Sequence, residues 1–405
     1  MSILDKFAPL AEARKALHGL GADPFAVTFD SVSSPAEATI DGRPVLILGS
    51  NNYLGLTFDA EMIADGLDAL AKFGTGTTGS RIANGTFGGH HALERRIAEI
   101  FRRKHALTFS TGYQANLGML MTLVGKDDTL LIDADSHASI YDGARMAAGQ
   151  VIRFRHNDAD DLARRLRRLE GTPGETLVVI EGIYSMLGDR APVAEFAAVK
   201  REHGATLLVD EAHSFGVLGP NGLGAMEEGG VYDDADFIVG TFSKSLGSVG
   251  GYCVSDIEGF DILRLACRPY MFTASLPPSV IATTLKALDH VETRPELRQR
   301  LAANAERLYS GLTKAGFKLG AQVSPIVSVR LPDVPVAAAF WGALLAEGVY
   351  VNLALPPATP TLEPLLRTSV TAAHTFAHID RAIDAIVAVG KRLGVIDAPA
   401  ASAAQ

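Results

Sequence analysis

The sequence predicts an α/β protein with a mainly parallel central sheet that is covered by helices on both faces. From about residue 105 onward, short apolar runs alternate with segments of helical periodicity, which is typical of strand–helix–strand units. Of the 405 residues, 47% are hydrophobic and 20% are charged, so the chain can bury a substantial core. The 40 glycines cluster in short polar loops, as expected for tight turns between strands and helices.

The elements are predicted in order along the chain. Residues 1–20 have the periodicity of an amphipathic helix, residues 36–49 form a hairpin around the turn pair Asp41-Gly42, and residues 61–73 form a helix. The predicted strands of the sheet are Thr129–Asp133, Val151–Phe154, Leu177–Glu181, Thr206–Asp210 and Phe237–Gly240. Helices are predicted over Gln114–Val124, Asp161–Leu169 and Val193–His203.

The composition changes near residue 290. A charged helix (294–312), shorter strands and a final helix (379–393) predict a smaller α+β C-terminal domain. We therefore divide the chain into an N-terminal helix and hairpin segment (1–50), a large domain (51–290) and a small C-terminal domain (291–405). The last residues, 398–405, are rich in Ala and Ser and are expected to fray.

Charge and composition exclude several classes of function. The net charge of −9 argues against nucleic acid as a partner, because phosphate binding requires a basic face. Two cysteines, Cys253 and Cys267, make no disulfide framework. The N-terminus has no apolar signal core, and no stretch of 18 uncharged apolar residues occurs. We expect a cytoplasmic protein without a transmembrane segment. Peripheral contact with the inner membrane, through residues 1–20 or Arg164–Arg168, stays open.

Polar side chains follow four of the predicted strands. Because ligands collect at the carboxyl ends of the strands in such sheets, these side chains indicate one shared site. The four strand ends carry Asp133-Ala-Asp-Ser-His137, Glu181-Gly-Ile-Tyr-Ser185, Asp210-Glu-Ala-His213 and Thr241-Phe-Ser-Lys244.

Lys244 is the principal candidate for chemistry at this edge. A Schiff base needs an amine that is not permanently solvated and protonated, and a lysine just past a strand end, followed by glycines, fits that requirement. The hydroxyls of Thr241 and Ser243 are placed to hold a phosphate. This pattern indicates pyridoxal phosphate. The alternative from the motif alone is an ordinary surface lysine.

Other strand-end residues fit the same cofactor. Asp210 can pair with a pyridinium nitrogen and His213 with a phenolate oxygen. The alternatives are a metal pair or a helix cap, but no third ligand occurs at a useful spacing, so we expect no metal site. Gly112 and Tyr113 open a predicted helix whose N–H groups suit an anion, or form a simple N-cap. His137 can stack on an aromatic ring, or be a structural histidine.

One glycine-rich segment has the residue spacing of a dinucleotide-binding loop. Gly74-Thr-Gly-Thr-Thr-Gly79 matches the G-x-G-x-x-G pattern, which requires a preceding strand. Here a predicted helix precedes it, so we expect no nucleotide there.

Strings along nearly the whole chain resemble the α-oxoamine synthases. These are fold-type I, pyridoxal-phosphate-dependent enzymes that condense an amino acid with an acyl thioester. The strings are Asn51-Asn-Tyr-Leu-Gly55, Gly74-Thr-Gly-Thr-Thr-Gly-Ser-Arg81, Ser110-Thr-Gly-Tyr113, Asp133-Ala-Asp-Ser-His-Ala-Ser139, Val209-Asp-Glu-Ala-His-Ser214 and Gly240-Thr-Phe-Ser-Lys-Ser245.

The resemblance implies a role for each site residue. Lys244 is the Schiff-base lysine, Asp210 the pyridinium partner, His213 the contact of the phenolate oxygen, and His137 the residue stacked on the ring. The remaining implied cofactor contacts are Gly112, Tyr113, Thr241 and Ser243 at the phosphate, Ser185 near the ring, and Thr273 and Ala274 from the second subunit of a homodimer with shared active sites. Asn52 and Arg367 are implied to bind the substrate carboxylate.

Further strings are similar to bacterial members that join L-serine to a long-chain acyl thioester. They include Tyr184-Ser-Met-Leu-Gly-Asp189, Leu265-Ala-Cys-Arg-Pro-Tyr270 and Pro356-Pro-Ala-Thr-Pro360. They imply palmitoyl-CoA, or an acyl carrier protein thioester, as the donor and 3-oxosphinganine as the product, at the start of sphingolipid synthesis. One position departs from the pattern. Leu355 stands where those members carry an arginine that engages the serine carboxylate.

Other activities of the same family stay open as alternatives. They are the synthesis of 8-amino-7-oxononanoate from alanine, and of 2-amino-3-ketobutyrate or 5-aminolevulinate from glycine. A non-catalytic regulatory subunit is a remote alternative, because such subunits lack the lysine that is present here as Lys244.

Overall fold

The predicted alternation of strands and helices is present in the structure, a computed structural model that describes residues 2–20, 23–360 and 362–397. The chain divides into two units. The smaller unit comprises Met1–Asn51, Met186–Asp189 and Arg300–Gln405, and the larger unit comprises Asn52–Ser185 and Arg190–Gln299. The three-part division of the chain, with boundaries at residues 51 and 291, stays a prediction. Residues 398–405, which were expected to fray, lie outside the described residues.

The N-terminal part of the smaller unit contains the predicted helix and hairpin. Its elements are α1 (Ala8–Gly19), β1 (Ser31–Ser34), β2 (Glu37–Ile40) and β3 (Arg43–Ile47). Pro9 lies in the first turn of α1, where its missing N–H costs nothing. Asp41 and Gly42 have positive φ angles of 49° and 70°, the geometry that a two-residue hairpin turn requires.

The larger unit contains ten helices and seven strands among its described residues. The strands are β4 (His105–Phe109), β5 (Thr129–Asp133), β6 (Gln150–Phe154), β7 (Thr176–Glu181), β8 (Thr206–Asp210), β9 (Phe237–Thr241) and β10 (Gly251–Ser255). The helices are α2 (Ala60–Phe73), α3 (Gly88–Ile100), α4 (Gly112–Leu123), α5 (Ala138–Met146), α6 (Ala159–Arg167), α7 (Val193–His203), α8 (Ala225–Glu228), α9 (Leu263–Ala266), α10 (Arg268–Met271) and α11 (Pro278–Thr293).

These strands form one mixed sheet in the order β4-β10-β9-β8-β7-β5-β6. Strands β9, β8, β7, β5 and β6 are parallel, and they are the five strands that the sequence predicts. Strand β10 is antiparallel to both β4 and β9. Neither β4 nor β10 was predicted, because the run of β4 is interrupted by polar His105 and Thr108, and β10 follows β9 without a helix between them.

The apolar runs of four parallel strands are buried on both faces, whereas the edge strand β6 is buried only at Phe154. Every residue of β5 and β9 is buried, and so is every residue of β7 and β8 after the first. One face of the sheet packs against α4 through residues such as Met119, Leu130 and Val239, none of which is exposed. This packing holds the carboxyl ends of the strands in fixed positions, which a binding site needs.

The C-terminal part of the smaller unit is α+β, as predicted. Its elements are α12 (Pro295–Lys314), β11 (Ile326–Arg330), α13 (Val334–Ala346), β12 (Val349–Tyr350), β13 (Asn352–Ala354), β14 (Leu365–Ser369) and α14 (Phe376–Arg392). Strand β12 joins the hairpin in a sheet of order β1-β2-β3-β12, and the other three strands form the antiparallel sheet β11-β14-β13. Among the described residues, no helix has the length and hydropathy to span a bilayer.

Candidate active site

A cavity of about 240 Å³ lies in the larger unit at the carboxyl ends of β7, β8 and β9. The predicted cofactor residues that line it are Gly112, Tyr113, His137, Asp210, His213, Thr241, Ser243 and Lys244. The four polar strand ends of the sequence therefore do contribute to one cavity. The strand order puts them there, because β7, β8 and β9 are neighbours and β5 lies beside β7.

One end of the cavity is suited to an anion. Gly112 and Tyr113 are the first two residues of α4, whose N–H groups have no partner within the helix. The hydroxyl groups of Thr241 and Ser243 are hydrogen-bonded to each other at 2.8 Å. A side chain at Gly112 would meet Thr241, since a Cβ there would lie 2.6 Å from the Thr241 Cβ. The absence of a side chain therefore keeps this end open.

Asp210 is buried at the end of β8 and is held by two hydrogen bonds. The Asn116 side-chain amide donates to one carboxylate oxygen at 2.6 Å, and the backbone N–H of Ala212 donates to the other at 2.9 Å. Both donors stabilise the ionised carboxylate. A fixed negative charge at this position suits a protonated ring nitrogen.

His213 and His137 are each oriented by a hydroxyl group. The Tyr53 hydroxyl is 2.7 Å from Nδ1 of His213, and both side chains are buried. Nδ1 of His137 lies 2.8 Å from the Ser139 hydroxyl and accepts the Ser139 N–H at 3.2 Å. Burial lowers the pKa of His137, with the charge of Lys244 acting in the same direction and Asp210 opposing it. A neutral imidazole at neutral pH follows, which suits stacking on a ring better than a cation does.

Six lining residues were not predicted as cofactor contacts: Thr111, Asn116, Ser139, Glu181, Ala212 and Gly240. Asn116 carries no motif signal, and Ser139 ends one of the family strings but was given no role; each lies on a helix face that only the fold turns toward the cavity. Glu181 was noted as a polar strand end but was given no role. It is the last residue of β7 and is 3% exposed.

Three predicted cofactor residues lie outside the cavity lining of the single chain: Ser185, Thr273 and Ala274. The hydroxyl of Thr273 accepts from the Gln114 side-chain amide at 3.2 Å, and the Ala274 carbonyl accepts from the Ser110 hydroxyl. These contacts tie the segment to the residues just before and within α4. The cofactor roles of all three stay predictions.

The predicted carboxylate ligands lie in different units. Asn52 belongs to the larger unit, where its side chain bonds to Thr57 at 2.8 Å. Arg367 lies on β14 of the smaller unit, is 6% exposed, and donates to the Asn51 side chain at 3.0 Å. Both roles remain predictions.

The donor set of the cavity fits pyridoxal phosphate. It offers a helix N-terminus and two hydroxyls for the phosphate, a carboxylate for the ring nitrogen, and the Lys244 amine for the aldehyde. The buried Oδ1 atom of Asn116 has no hydrogen-bond partner among the residues that the structure describes, as expected for a wall that a polar ligand contacts. Among the described residues, no group of three His, Cys, Asp or Glu side chains is placed to hold a metal ion.

Known proteins resemble the chain over most of its length. The family model for class I and II aminotransferases matches residues 43–386. A serine palmitoyltransferase of Caulobacter vibrioides is 59% identical over 397 residues, which cover 98% of each chain. An 8-amino-7-oxononanoate synthase of Geotalea daltonii is 40% identical over 88% of this chain and 91% of its own.

A solved structure has the same fold over the same length. It is a lysine-to-alanine variant of the serine palmitoyltransferase of Sphingomonas paucimobilis with bound PLP–myriocin aldimine. The two chains are 50% identical and superpose with a TM-score of 0.96, over 98% of this chain and all of the other.

Proposed function

The chain belongs to the class I and II aminotransferase family, and we propose that within it the protein is a pyridoxal-phosphate-dependent serine C-palmitoyltransferase. The observation that carries this proposal is full-length similarity to serine palmitoyltransferases together with Lys244, Asp210 and His137 on one cavity. The reaction is the decarboxylative condensation of L-serine with a long-chain acyl thioester to 3-oxosphinganine.

Lys244 is the proposed covalent anchor of the cofactor and the base of the reaction. Pyridoxal phosphate supplies an aldehyde that binds amines and a ring that accepts the electron pair left at a deprotonated carbon. The Nζ atom of Lys244, once released by the amino group of serine, removes the proton from the serine Cα. His137 restricts the movement of the ring, and so selects which bond at Cα is broken.

Asp210 supports this proton transfer electrostatically. Its carboxylate would lie opposite the ring nitrogen of the bound cofactor and would favour the protonated form of that nitrogen, which promotes uptake of charge by the ring. Asn116 and the Ala212 N–H hold the carboxylate in place, so no reorganisation is needed during the reaction.

The overall reaction balances without an oxidant or a metal. A C–C bond forms between the serine Cα and the acyl carbonyl carbon, and the thiol leaves with a proton. The bond between Cα and the carboxylate then breaks, CO₂ leaves, and a proton is added at Cα. Holding both substrates in one site contributes on the order of several kcal/mol through proximity.

Substrate recognition is assigned to named residues. Arg367 and Asn52 are the proposed ligands of the serine carboxylate. Arg367 acts without a second arginine, since Leu355 occupies that position. Palmitoyl-CoA is the proposed donor, and an acyl carrier protein thioester is the alternative with the same acyl chemistry.

The proposed assembly is a homodimer with shared sites. Thr273 and Ala274 of each subunit then approach the cofactor phosphate of the other. This arrangement accounts for the absence of Thr273 and Ala274 from the cavity lining of the single chain. We also propose a cytoplasmic location, with any membrane contact peripheral.

The second candidate is 8-amino-7-oxononanoate synthesis, which the 40% identical relative favours. A product assay separates the two. Purified protein with pyridoxal phosphate is given L-serine, L-alanine or glycine, each with acyl-CoA donors of increasing chain length and with an acyl carrier protein thioester. The proposal expects 3-oxosphinganine from serine with a C16 donor, and none from Lys244→Ala. Turnover of alanine with pimeloyl thioester, and none of serine, would overturn it.

A further inference from the structure

Glu181 lines the cofactor cavity and has no role in the reaction described above. It ends β7 and lies beside Asp210 in the register of the parallel pair β7–β8. A buried carboxyl group in a cavity with an amine and a second carboxyl group needs an explanation, because burial of such a group without partners is costly.

The partner of the Glu181 carboxyl group is the backbone of His137. The His137 N–H donates to Oε1 of Glu181. His137 is the N-cap residue of α5, and its ring is tied to Ser139 on the first turn of that helix. The Glu181 carboxyl oxygen therefore holds the backbone of His137, while Ser139 holds its ring. His137 is the residue whose ring is proposed to stack on the cofactor.

The charges around Glu181 favour its protonated form. Burial raises the pKa of Glu181 well above its usual value, and the charges of Asp210 and Asp133 raise it further. The His137 N–H and Lys244 act in the opposite direction. The protonated form of Glu181 is therefore favoured over the ionised form.

We propose that Glu181 is a positioning residue that holds His137 against the cofactor ring through the His137 backbone, and that it takes no part in proton transfer. This inference rests on the proposed cofactor site. It predicts that position 181 needs a side chain as long as Glu that carries an acceptor oxygen. This side chain does not need to be ionisable.

Two substitutions separate these requirements. Glu181→Gln keeps the length and the acceptor oxygen, so the His137 N–H stays bonded. Glu181→Leu keeps the volume but leaves the partly buried His137 N–H without its acceptor. We expect Glu181→Gln to retain the visible circular dichroism of the bound cofactor and to change kcat/KM for serine by less than about threefold. For Glu181→Leu we expect a changed dichroism band, about tenfold weaker cofactor binding and a loss mainly in kcat.

Glu211→Gln is the matched control. Glu211 is a fully buried glutamate next to Asp210, but its carboxyl group accepts from Ser214, Ala225 and Met226 and does not line the cavity. This control is expected to lower the melting temperature and to leave the dichroism band unchanged. If Glu181→Leu does not fold, Glu181→Asp replaces it, since its shorter side chain also withdraws the acceptor.

The cofactor readouts need no substrate, so they test the inference even if the proposed activity fails. The inference is overturned if Glu181→Leu retains the wild-type dichroism and cofactor affinity. It is also overturned if Glu181→Gln is as impaired as Glu181→Leu, because an ionisable group would then be required. If Glu211→Gln showed the same spectral change, the effect of Glu181→Leu would reflect a general loss of packing. The inference would then be overturned as well.

Discussion

The side-chain amide of Asn116 donates a hydrogen bond of 2.6 Å to the carboxylate of Asp210, and the same nitrogen lies 3.0 Å from the Ser139 hydroxyl. The three side chains are buried and connect α4, α5 and β8. Asp210 is therefore positioned by residues from two helices as well as by its own strand.

Asn116→Ala is expected to weaken cofactor binding. A hydrogen bond to a charged group is worth about 1.5–3 kcal/mol, which corresponds to roughly a ten- to hundredfold higher Kd for pyridoxal phosphate. Titration of the apoprotein with cofactor, followed by absorbance, measures it. Asn304→Ala is the control, because Asn304 is also buried and donates to two carbonyl groups, but in the smaller unit. An unchanged Kd in Asn116→Ala would contradict this role.

Gly112→Ala is expected to close the phosphate end of the cavity. The added Cβ would lie 2.6 Å from the Thr241 Cβ, so either α4 or Thr241 must move. We expect at least about tenfold weaker cofactor binding, on the order of 1.4 kcal/mol. Gly88→Ala is the matched control, since Gly88 also begins a helix and its Cβ would meet nothing within 4 Å. Equal affinities of the two variants would argue against a phosphate at this end.

Tyr53→Phe is expected to release His213 while leaving the buried ring in place. The lost hydrogen bond is worth about 0.5–1.5 kcal/mol, so kcat/KM for serine should fall by roughly two- to tenfold. Because His213 is proposed to contact the phenolate oxygen, the pH dependence of the cofactor absorbance should shift as well. A fall in activity with an unshifted titration would indicate that His213 does not reach the cofactor.

Leu355→Arg is expected to strengthen serine binding if the missing arginine acts on the carboxylate in related enzymes. A charge-assisted hydrogen bond would lower the KM for serine by about tenfold. Steady-state kinetics with a fixed acyl donor measures this change, and Leu355→Met controls for altered packing. A KM that stays at the wild-type value would show that Arg367 and Asn52 suffice.

His374→Gln is expected to reduce the loss in free energy of unfolding that occurs when the pH is lowered. Burial lowers the pKa of His374 to about 4, and its ring accepts the Thr371 N–H at 3.1 Å and lies 2.9 Å from the Ile47 carbonyl. Between pH 6.5 and about 4 the unfolded chain binds the proton and the folded chain does not. The free energy of unfolding therefore falls on acidification, by up to about 3 kcal/mol.

Urea unfolding at several pH values tests this contribution. The variant should be less stable than the wild type at pH 7, because a buried hydrogen bond is lost, and should lose less stability between pH 6.5 and 4. The control His91→Gln replaces an exposed histidine and should leave the slope unchanged. Parallel slopes of wild type and His374→Gln would contradict the assignment.

The sequence by itself determined the five parallel strands β5 to β9 and two of the helices between them, α6 and α7, but not α5 and α8. Their signal is local, because a strand buried on both faces must be apolar throughout and a covering helix must be amphipathic. The local sequence pattern also identified Asp210, Thr241 and Lys244, since a polar residue at the end of a buried strand lies at the sheet edge. The family resemblance assigned their roles, which periodicity alone left open.

Only the tertiary structure decided which residues meet across the site. Asn116 is 94 positions from Asp210, and Tyr53 is 160 positions from His213, so neither pair leaves a periodic trace in the chain. The order β8-β7-β5, in which β6 is displaced to the edge, brings Glu181 beside Asp210 and near His137. Such contacts arise from sheet order and helix rotation, which depend on the packing of the whole unit.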